Sequence, residues 1–159
     1  MVKETHEHAV KRGKKSRASG AEFERRARKD LEEKGWIVDK FTNNVSDVYE
    51  QDIGEYVREL IPAKAKWNNF TKSMMMGSGG FPDFLAFRYI ACNFNGAEYE
   101  VIGVECKSDG VLDKTEKEKC EWLLDKKVFS KILIASKHKI KNRIHIEYTD
   151  FEIKHRRKK

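Results

Sequence analysis

The segment from Gly79 to Ser108 limits most strongly how this chain of 159 residues can fold. It contains two apolar runs, residues 82–90 and 99–104, joined by a turn-forming Asn-Phe-Asn-Gly sequence at 93–96. Apolar runs of this length on either side of an Asn-Gly turn are typical of a β-hairpin. We therefore predict two antiparallel strands around which the rest of the chain packs.

Charged residues mark one end of this predicted hairpin. Asp83 opens the first strand, and Glu105, Cys106 and Lys107 close the second. Antiparallel pairing places the start of one strand beside the end of the other, so Asp83 and Glu105 should lie close together. Side chains alternate between the faces of a strand, so Glu105 and Lys107 share a face and Cys106 points into the interior. Two carboxylates beside an ammonium group suit Mg²⁺, which binds oxygen ligands.

The pattern Pro82-Asp83 followed by Glu105-Cys106-Lys107 resembles the signature of the PD-(D/E)XK nuclease superfamily. Either fragment alone has a simpler interpretation, in which Asp83 caps a strand and Lys107 is a charged edge residue that opposes aggregation. Their position at matched ends of two joined apolar strands favours the nuclease interpretation. The resemblance covers about residues 19–137.

The resemblance implies an α/β fold with a restriction-endonuclease-like core, in which helices flank a mixed sheet in the order αβββαβ. It also implies a metal site in which Asp83, Glu105 and the Cys106 carbonyl hold Mg²⁺, with Mn²⁺ as a substitute. Glu24 would complete the site directly or through water. Lys107 would orient the attacking water and lower its pKa.

A first helix is predicted over about residues 21–34, where apolar residues recur every four positions and a glycine follows as the stop: Phe23, Ala27, Leu31 and then Gly35. Helical phase puts Glu24 on the flank of the apolar stripe and turns Glu22 away from it. A simpler interpretation makes Glu24 a solvated residue that pairs with Arg28.

The sequence from Gly20 to Arg25 also resembles the opening helix of archaeal-type Holliday junction resolvases, in which a glycine is followed four residues later by Glu-Arg. In that branch the glutamate assists the metal site, and Glu24 matches it. The resolvases also carry a serine in a glycine-containing loop, which makes Ser78 a candidate phosphate contact. The present chain departs from them by a long insertion, at about residues 43–76.

The insertion is predicted to contain an amphipathic helix from about Asp47 to Ile61, ended by Pro62. The stretch that follows, from Ala63 to Met76, interleaves lysines with Trp67, Phe70 and three methionines. Such a mixture can hold a nucleic acid strand, or the apolar side chains can simply pack the inserted helix onto the domain.

A second helix is predicted from about Asp113 or Lys114 to Lys127, with an apolar stripe formed by Cys120, Leu123 and Leu124. Glu116 lies on this stripe, where many members of the superfamily place a polar residue that faces the site, so it is expected to be an auxiliary catalytic residue. The simpler interpretation is a helix N-terminal acid favoured by the dipole. Residues 131–135 should form a buried central strand, and residues 143–153 an edge strand or dimer surface.

The net charge of +7 is concentrated near the two ends of the chain. Residues 1–18 and 154–159 are predicted to be disordered basic tails around a single domain at 19–153. Such tails attract nucleic acid, or they only increase solubility. The predicted DNA contacts, besides Ser78, are Lys14, Lys15, Arg17 and Arg25.

Neither a membrane span nor a secretory signal is expected, so the sequence predicts an intracellular protein, cytoplasmic or associated with a nucleoid or viral genome. The three cysteines, Cys92, Cys106 and Cys120, and the five histidines have no spacing typical of a disulfide framework or a zinc site.

Together these features predict a Mg²⁺-dependent DNA endonuclease that resolves Holliday junctions as a homodimer. A restriction-type, single-strand or flap nuclease of the same fold is an alternative. A DNA-binding protein without catalytic activity is another, although such a protein would usually lack one of the site carboxylates.

Overall fold

A computed structural model describes residues 6–69, 72–75, 79–141 and 143–153. The chain forms an α/β fold in which two helices pack against a mixed five-stranded sheet. The helices are α1 (His6–Glu33) and α2 (Lys114–Asp125). The sheet strands, in chain order, are β1 (Ile37–Lys40), β6 (Phe84–Asn93), β7 (Gly96–Cys106), β8 (Lys131–Ile140) and β9 (Arg143–Asp150). The four strands between β1 and β6 belong to the insertion.

The strands of this sheet lie side by side in the order β1-β6-β7-β8-β9. Only β7 and β8 run parallel, since α2 connects them, and the other neighbours are antiparallel. The predicted hairpin is confirmed as β6 and β7, which pair from Phe84 opposite Val104 to Asn93 opposite Gly96. Ile132, Ile134 and Ala135 of β8 are buried as predicted, but the central strand is β7, and β9 forms the predicted edge.

The two faces of the sheet carry separate apolar cores. On one face, the predicted stripe of α1 packs against the inward residues of β6 and β7: Phe23, Ala27 and Leu31 against Phe84, Ala86, Ile102 and Val104. On the other face, Cys120 and Leu123 of α2 pack with Ile132 and Ile134 of β8. Because β7 supplies residues to both cores, its position is fixed from both sides.

The prediction of a helix in the insertion is wrong. Residues 43–62 form an antiparallel hairpin of β2 (Asn43–Glu50) and β3 (Glu55–Pro62). The β-branched and aromatic residues of this segment favour strands, and Gly54 adopts the positive φ of +69° that the turn requires. Ile53, which belonged to the predicted apolar stripe, lies in that turn and is 56% exposed.

A second small hairpin, β4 (Lys66–Asn68) with β5 (Ser73–Met75), completes the insertion. Trp67 lies opposite Met74, and both side chains are about half exposed. Of the two interpretations of this stretch, packing of the insertion onto the domain is not supported by the exposure of Trp67 and Met74. Phe70, Met76 and Ser78 lie outside the described residues.

Helix α1 begins at His6, although the sequence predicts disorder as far as residue 18 and a helix only from about residue 21. The core residues from Phe23 onward anchor the helix, and extension of an existing helix costs far less than nucleation. Most residues between 6 and 18 are good helix formers. Residues 1–5 and 154–159 lie outside the described part of the chain.

None of the helices in the described residues combines the length and apolar composition needed to cross a membrane.

Two glycines allow the backbone to approach closely beside Asp83. A Cβ atom at Gly80 would lie 2.1 Å from the carbonyl oxygen of Phe41, so only glycine fits where this segment passes the end of β1. A Cβ atom at Gly103 would lie 2.7 Å from Cγ of Pro82 and 3.1 Å from Cδ2 of Phe129. Gly103 therefore makes room for the residue that precedes Asp83.

Replacement of Gly103 tests this packing. We expect Gly103→Ala to lower the free energy of unfolding by about 1–3 kcal/mol, because the new methyl group forces Pro82 and Phe129 apart. Urea denaturation measures the loss. Gly13→Ala is the matched control, since a Cβ atom at this helical position meets open space and should stabilise the protein by about 0.5–1 kcal/mol. Equal midpoints for Gly103→Ala and the unmodified protein would contradict the packing argument.

Candidate active site

Asp83 and Glu105 lie at the same end of the β6–β7 hairpin, as predicted. The Asp83 N–H donates to Oε2 of Glu105 over 3.1 Å, and the Cys106 N–H donates to Oδ2 of Asp83 over 2.9 Å. Each carboxylate thus accepts a hydrogen bond from the backbone of the opposite strand. The hairpin register, which pairs Phe84 with Val104, makes this exchange possible.

Glu105 is buried, and Asp83 beside it is partly buried. Glu105 is 6% exposed, and it is the only charged residue that is buried in the described part of the chain. Burial, followed by the negative charge of Asp83, raises the pKa of Glu105 to about 8. Burial also raises the pKa of Asp83, and the negative charge of Glu24 adds to the increase. The two groups therefore occupy a site where a cation would be favourable, since it would offset both the burial and the repulsion.

Lys107 supplies a positive charge next to this pair. Its Nζ atom lies 3.4 Å from Oε1 of Glu105 and donates a short hydrogen bond to Oε1 of Glu116. Burial alone would lower the pKa of Lys107, but the hydrogen bond to Glu116 and the charges of Glu105 and Glu116 outweigh it and raise this pKa. The amine is therefore held protonated between two carboxylates.

Glu116 connects this site to the start of α2. Its backbone N–H donates to Oδ1 of Asp113 over 2.8 Å, and its Oε2 accepts from the Asp113 N–H over 2.9 Å, which is the reciprocal arrangement of a capping box. Its other carboxylate oxygen bonds Lys107. The sequence left open whether Glu116 is an acid at the start of the helix or a residue that faces the site. In the structure Glu116 caps α2 and also contacts Lys107.

Glu24 lies at the border of the site on α1. Its Oε2 atom is 2.5 Å from Nζ of Lys40, the last residue of β1, and its charge raises the pKa of both Asp83 and the Cys106 thiol. The alternative pairing of Glu24 with Arg28 does not occur, because Arg28 pairs with Glu32. Sequence reasoning missed Lys40, although its place at the end of a strand beside the site was a usable signal.

Other residues predicted from the sequence lie away from the carboxylates. Glu22 pairs with Arg25 and Arg26 and, with Arg26, lines a pocket beside Lys137 and Ile146, so it does not point fully away from the sheet. Arg25 is 72% exposed and makes its ion pair with Glu22. Lys14, Lys15 and Arg17 are exposed on the N-terminal half of α1.

The donor chemistry of the site fits a hard divalent cation. Asp83 and Glu105 offer carboxylate oxygens at the end of β7, and the main-chain carbonyl of Cys106 belongs to the same strand end. The Cys106 side chain packs against the α1 core, as predicted, on the face of β7 opposite to Glu105, and burial raises the pKa of its thiol. Within the described residues, no three Asp, Glu, His or Cys side chains form a ready metal cluster. A metal here would therefore use two carboxylates, a carbonyl and water.

Comparison with protein-family models, curated proteins and solved structures finds no match for this chain.

Two substitutions at Glu116 separate its structural contacts from its charge. Glu116→Ala removes the capping box and should lower the free energy of unfolding by about 1 kcal/mol. Glu116→Gln keeps an oxygen that can accept from Asp113 and should lose less than half as much. Urea denaturation compares them with Glu121→Ala, an exposed position on the same helix that should be nearly neutral. Equal losses for the Ala and Gln variants would contradict a capping contribution.

Proposed function

We propose that this protein is a Mg²⁺-dependent DNA endonuclease built on a PD-(D/E)XK core. The observation that carries the proposal is the adjacent carboxylates of Asp83 and Glu105: Glu105 accepts from the Asp83 N–H, Asp83 accepts from the Cys106 N–H, and Lys107 lies 3.4 Å from Glu105. A protein without a charged ligand gains little from two carboxylates buried together, because burial and mutual repulsion both oppose it. Perturbed carboxylates beside a cationic side chain are typical of a functional site.

The carboxylates of Asp83 and Glu105, with the Cys106 carbonyl, are the proposed metal ligands. Mg²⁺, or Mn²⁺ in its place, supplies a bound water of lowered pKa and stabilises charge that develops on a phosphate. Glu24 is the proposed additional ligand, direct or through water. It must exchange its ion pair with Lys40 to bind a metal directly, so a contact through water requires less rearrangement.

Lys107 is proposed to orient the attacking water and to stabilise its deprotonated form. Its pKa is raised by Glu116 and Glu105, so it carries the compact positive charge that this role needs. Glu116 holds the Nζ atom of Lys107 from the side of α2. In this account Glu116 positions Lys107 and does not contact the reacting phosphate.

The distribution of charge supports DNA as the substrate. The N-terminal half of α1 carries five basic residues, Lys11, Arg12, Lys14, Lys15 and Arg17. Glu24 of the same helix lies near enough to Asp83 for its charge to raise the pKa of that carboxyl group, so the basic segment precedes the site along α1. Phosphates attracted to this helix would therefore be brought to the proposed catalytic end of the sheet.

Single substitutions should separate cleavage from binding. Asp83→Asn or Glu105→Gln should reduce single-turnover cleavage in Mg²⁺ by at least about a thousandfold, because each removes a proposed metal ligand. Lys107→Ala should also disable cleavage. DNA affinity, measured by gel shift without metal, should be unchanged or higher for the Asp83 and Glu105 variants, because they keep the basic helix and lose negative charge near the phosphate. For Lys107→Ala the change in affinity should be small, because it removes one positive charge among many. Wild-type cleavage should stop when EDTA removes the metal.

Two glutamates of the same helix provide the control for this experiment. Glu24→Gln should reduce cleavage less than the Asp83 and Glu105 variants if it acts through water. Glu22→Gln should leave cleavage unchanged, because the described partners of Glu22 are Arg25 and Arg26, which do not belong to the carboxylate site. Full cleavage by Asp83→Asn would reject the metal site and favour a DNA-binding protein without catalytic activity.

Holliday junction resolution is the more specific form of this proposal, and it requires a homodimer. A four-way junction presents related strands in pairs, so a two-fold dimer places one site on each. A single domain of this size has one such site. An intracellular location, in the cytoplasm or with a nucleoid or viral genome, belongs to the same proposal.

Light scattering tests this assembly directly. We expect a mass of twice the 18.6 kDa chain in solution, and preferential cleavage of a four-way junction over duplex, flap and single-stranded DNA. A strict monomer with and without DNA, together with preferred cleavage of flaps or single strands, would contradict junction resolution while leaving the nuclease proposal in place.

A further inference from the structure

A surface pocket lies between the N-terminal half of α1 and the residue that follows Lys107. Its lining consists of basic, hydroxyl and glycine residues: Arg12, Lys15, Ser16, Ser19, Gly20 and Ser108. No aspartate or glutamate of the described chain appears in this lining. In a protein with 26 acidic residues, a surface pocket with only cationic and hydroxyl groups is suited to an anion.

Helical geometry explains why these residues meet. Arg12, Lys15, Ser16 and Ser19 have the spacing i, i+3, i+4 and i+7, so they share one face of α1. Lys14 and Arg17 lie about 150° around the helix from the middle of that face, at 100° per residue. The basic residues of α1 therefore form two surfaces, of which only one faces Ser108.

Ser108 ties this pocket to the proposed active site. It follows Lys107 directly, and its carbonyl oxygen accepts from the Lys137 N–H over 3.2 Å, which fixes the turn beyond β7. Along α1, Ser19 is five residues before Glu24, which corresponds to about 7.5 Å of helix. Successive phosphates of one DNA strand are about 3.4 Å apart along the helix axis, so the pocket lies within about one to three nucleotides of the site.

We propose that this pocket binds a backbone phosphate of the DNA strand, within about three nucleotides of the phosphate that is cleaved. The proposal rests on the nuclease function above and adds a subsite to it. Arg12 and Lys15 supply the charge, and the hydroxyl groups of Ser16, Ser19 and Ser108 supply hydrogen-bond donors. The DNA strand would leave the catalytic end along the face of α1 that carries Arg12, Lys15, Ser16 and Ser19, which we call the inner face.

Two double variants that remove the same charge test the proposal. Arg12→Gln/Lys15→Gln changes the inner face of α1, and Lys14→Gln/Arg17→Gln changes the opposite face. Each removes one arginine and one lysine. Binding of a fluorescent single-stranded decamer is measured by anisotropy in the full-length protein without divalent metal, so the result does not depend on cleavage. The inner-face variant should bind about tenfold more weakly than the opposite-face variant.

A third variant tests the hydroxyl contact without any change in charge or in the helix. Ser108→Ala should weaken binding about threefold while the slope of log affinity against log salt stays the same, because no ion pair with phosphate is lost. Arg12→Lys should restore part of the affinity lost in Arg12→Gln. Circular dichroism checks that α1 stays helical in each variant.

The outcomes separate this subsite from the nuclease proposal. Equal losses for the two double variants, or no loss for either, would overturn the subsite even if the wild-type protein cleaves DNA. A selective loss for the inner face supports the subsite, and it does so even if no cleavage is found. Where cleavage is found, a single neutral methylphosphonate should weaken wild-type binding at one position within about three nucleotides of the cleaved bond. The inner-face variant should be insensitive to it.

Discussion

The proposed function depends on two hydrogen bonds, from the Asp83 N–H to the Glu105 carboxylate and from the Cys106 N–H to the Asp83 carboxylate. They join the start of β6 to the end of β7, at the centre of a sheet that is covered by a helix on each face. Gly103 provides the space for Pro82, and Gly80 lets the preceding segment pass β1. Burial of two carboxylates has a cost in free energy, so the surrounding packing must hold them there. A bound cation would offset that cost, which is the physical reason for proposing that Asp83 and Glu105 bind a metal ion.

The insertion gives the molecule an uneven distribution of charge. The β2–β3 hairpin carries five acidic residues and one arginine: Asp47, Glu50, Asp52, Glu55 and Glu59 against Arg58. Glu50 lies directly opposite Glu55 near the turn, where like charges are unfavourable in an isolated hairpin. This surface repels phosphates, whereas the basic half of α1 attracts them. DNA is therefore expected to approach along α1 and not along the β2–β3 hairpin.

Sequence patterns were sufficient where one physical rule dominated. The Asn-Gly turn and alternating strands located the β6–β7 hairpin, and a spacing of four residues located the buried face of α1. The insertion was misread because Ile53, Val57, Leu60 and Ile61 satisfy helical spacing by chance, while strand pairing across Gly54 decides the structure. The start of α1 was missed because its first turns depend on a helix anchored further along. Lys40 was missed because the ion pair with Glu24 joins two elements that no local pattern connects.

The most direct test of the central claim is anomalous diffraction from crystals of the protein soaked in Mn²⁺. The account predicts a peak within bonding distance of the Asp83 and Glu105 carboxylates and the Cys106 carbonyl, and loss of that peak in the Glu105→Gln variant. An ordered Asp83–Glu105 pair without a peak at saturating Mn²⁺, with and without bound DNA, would contradict it.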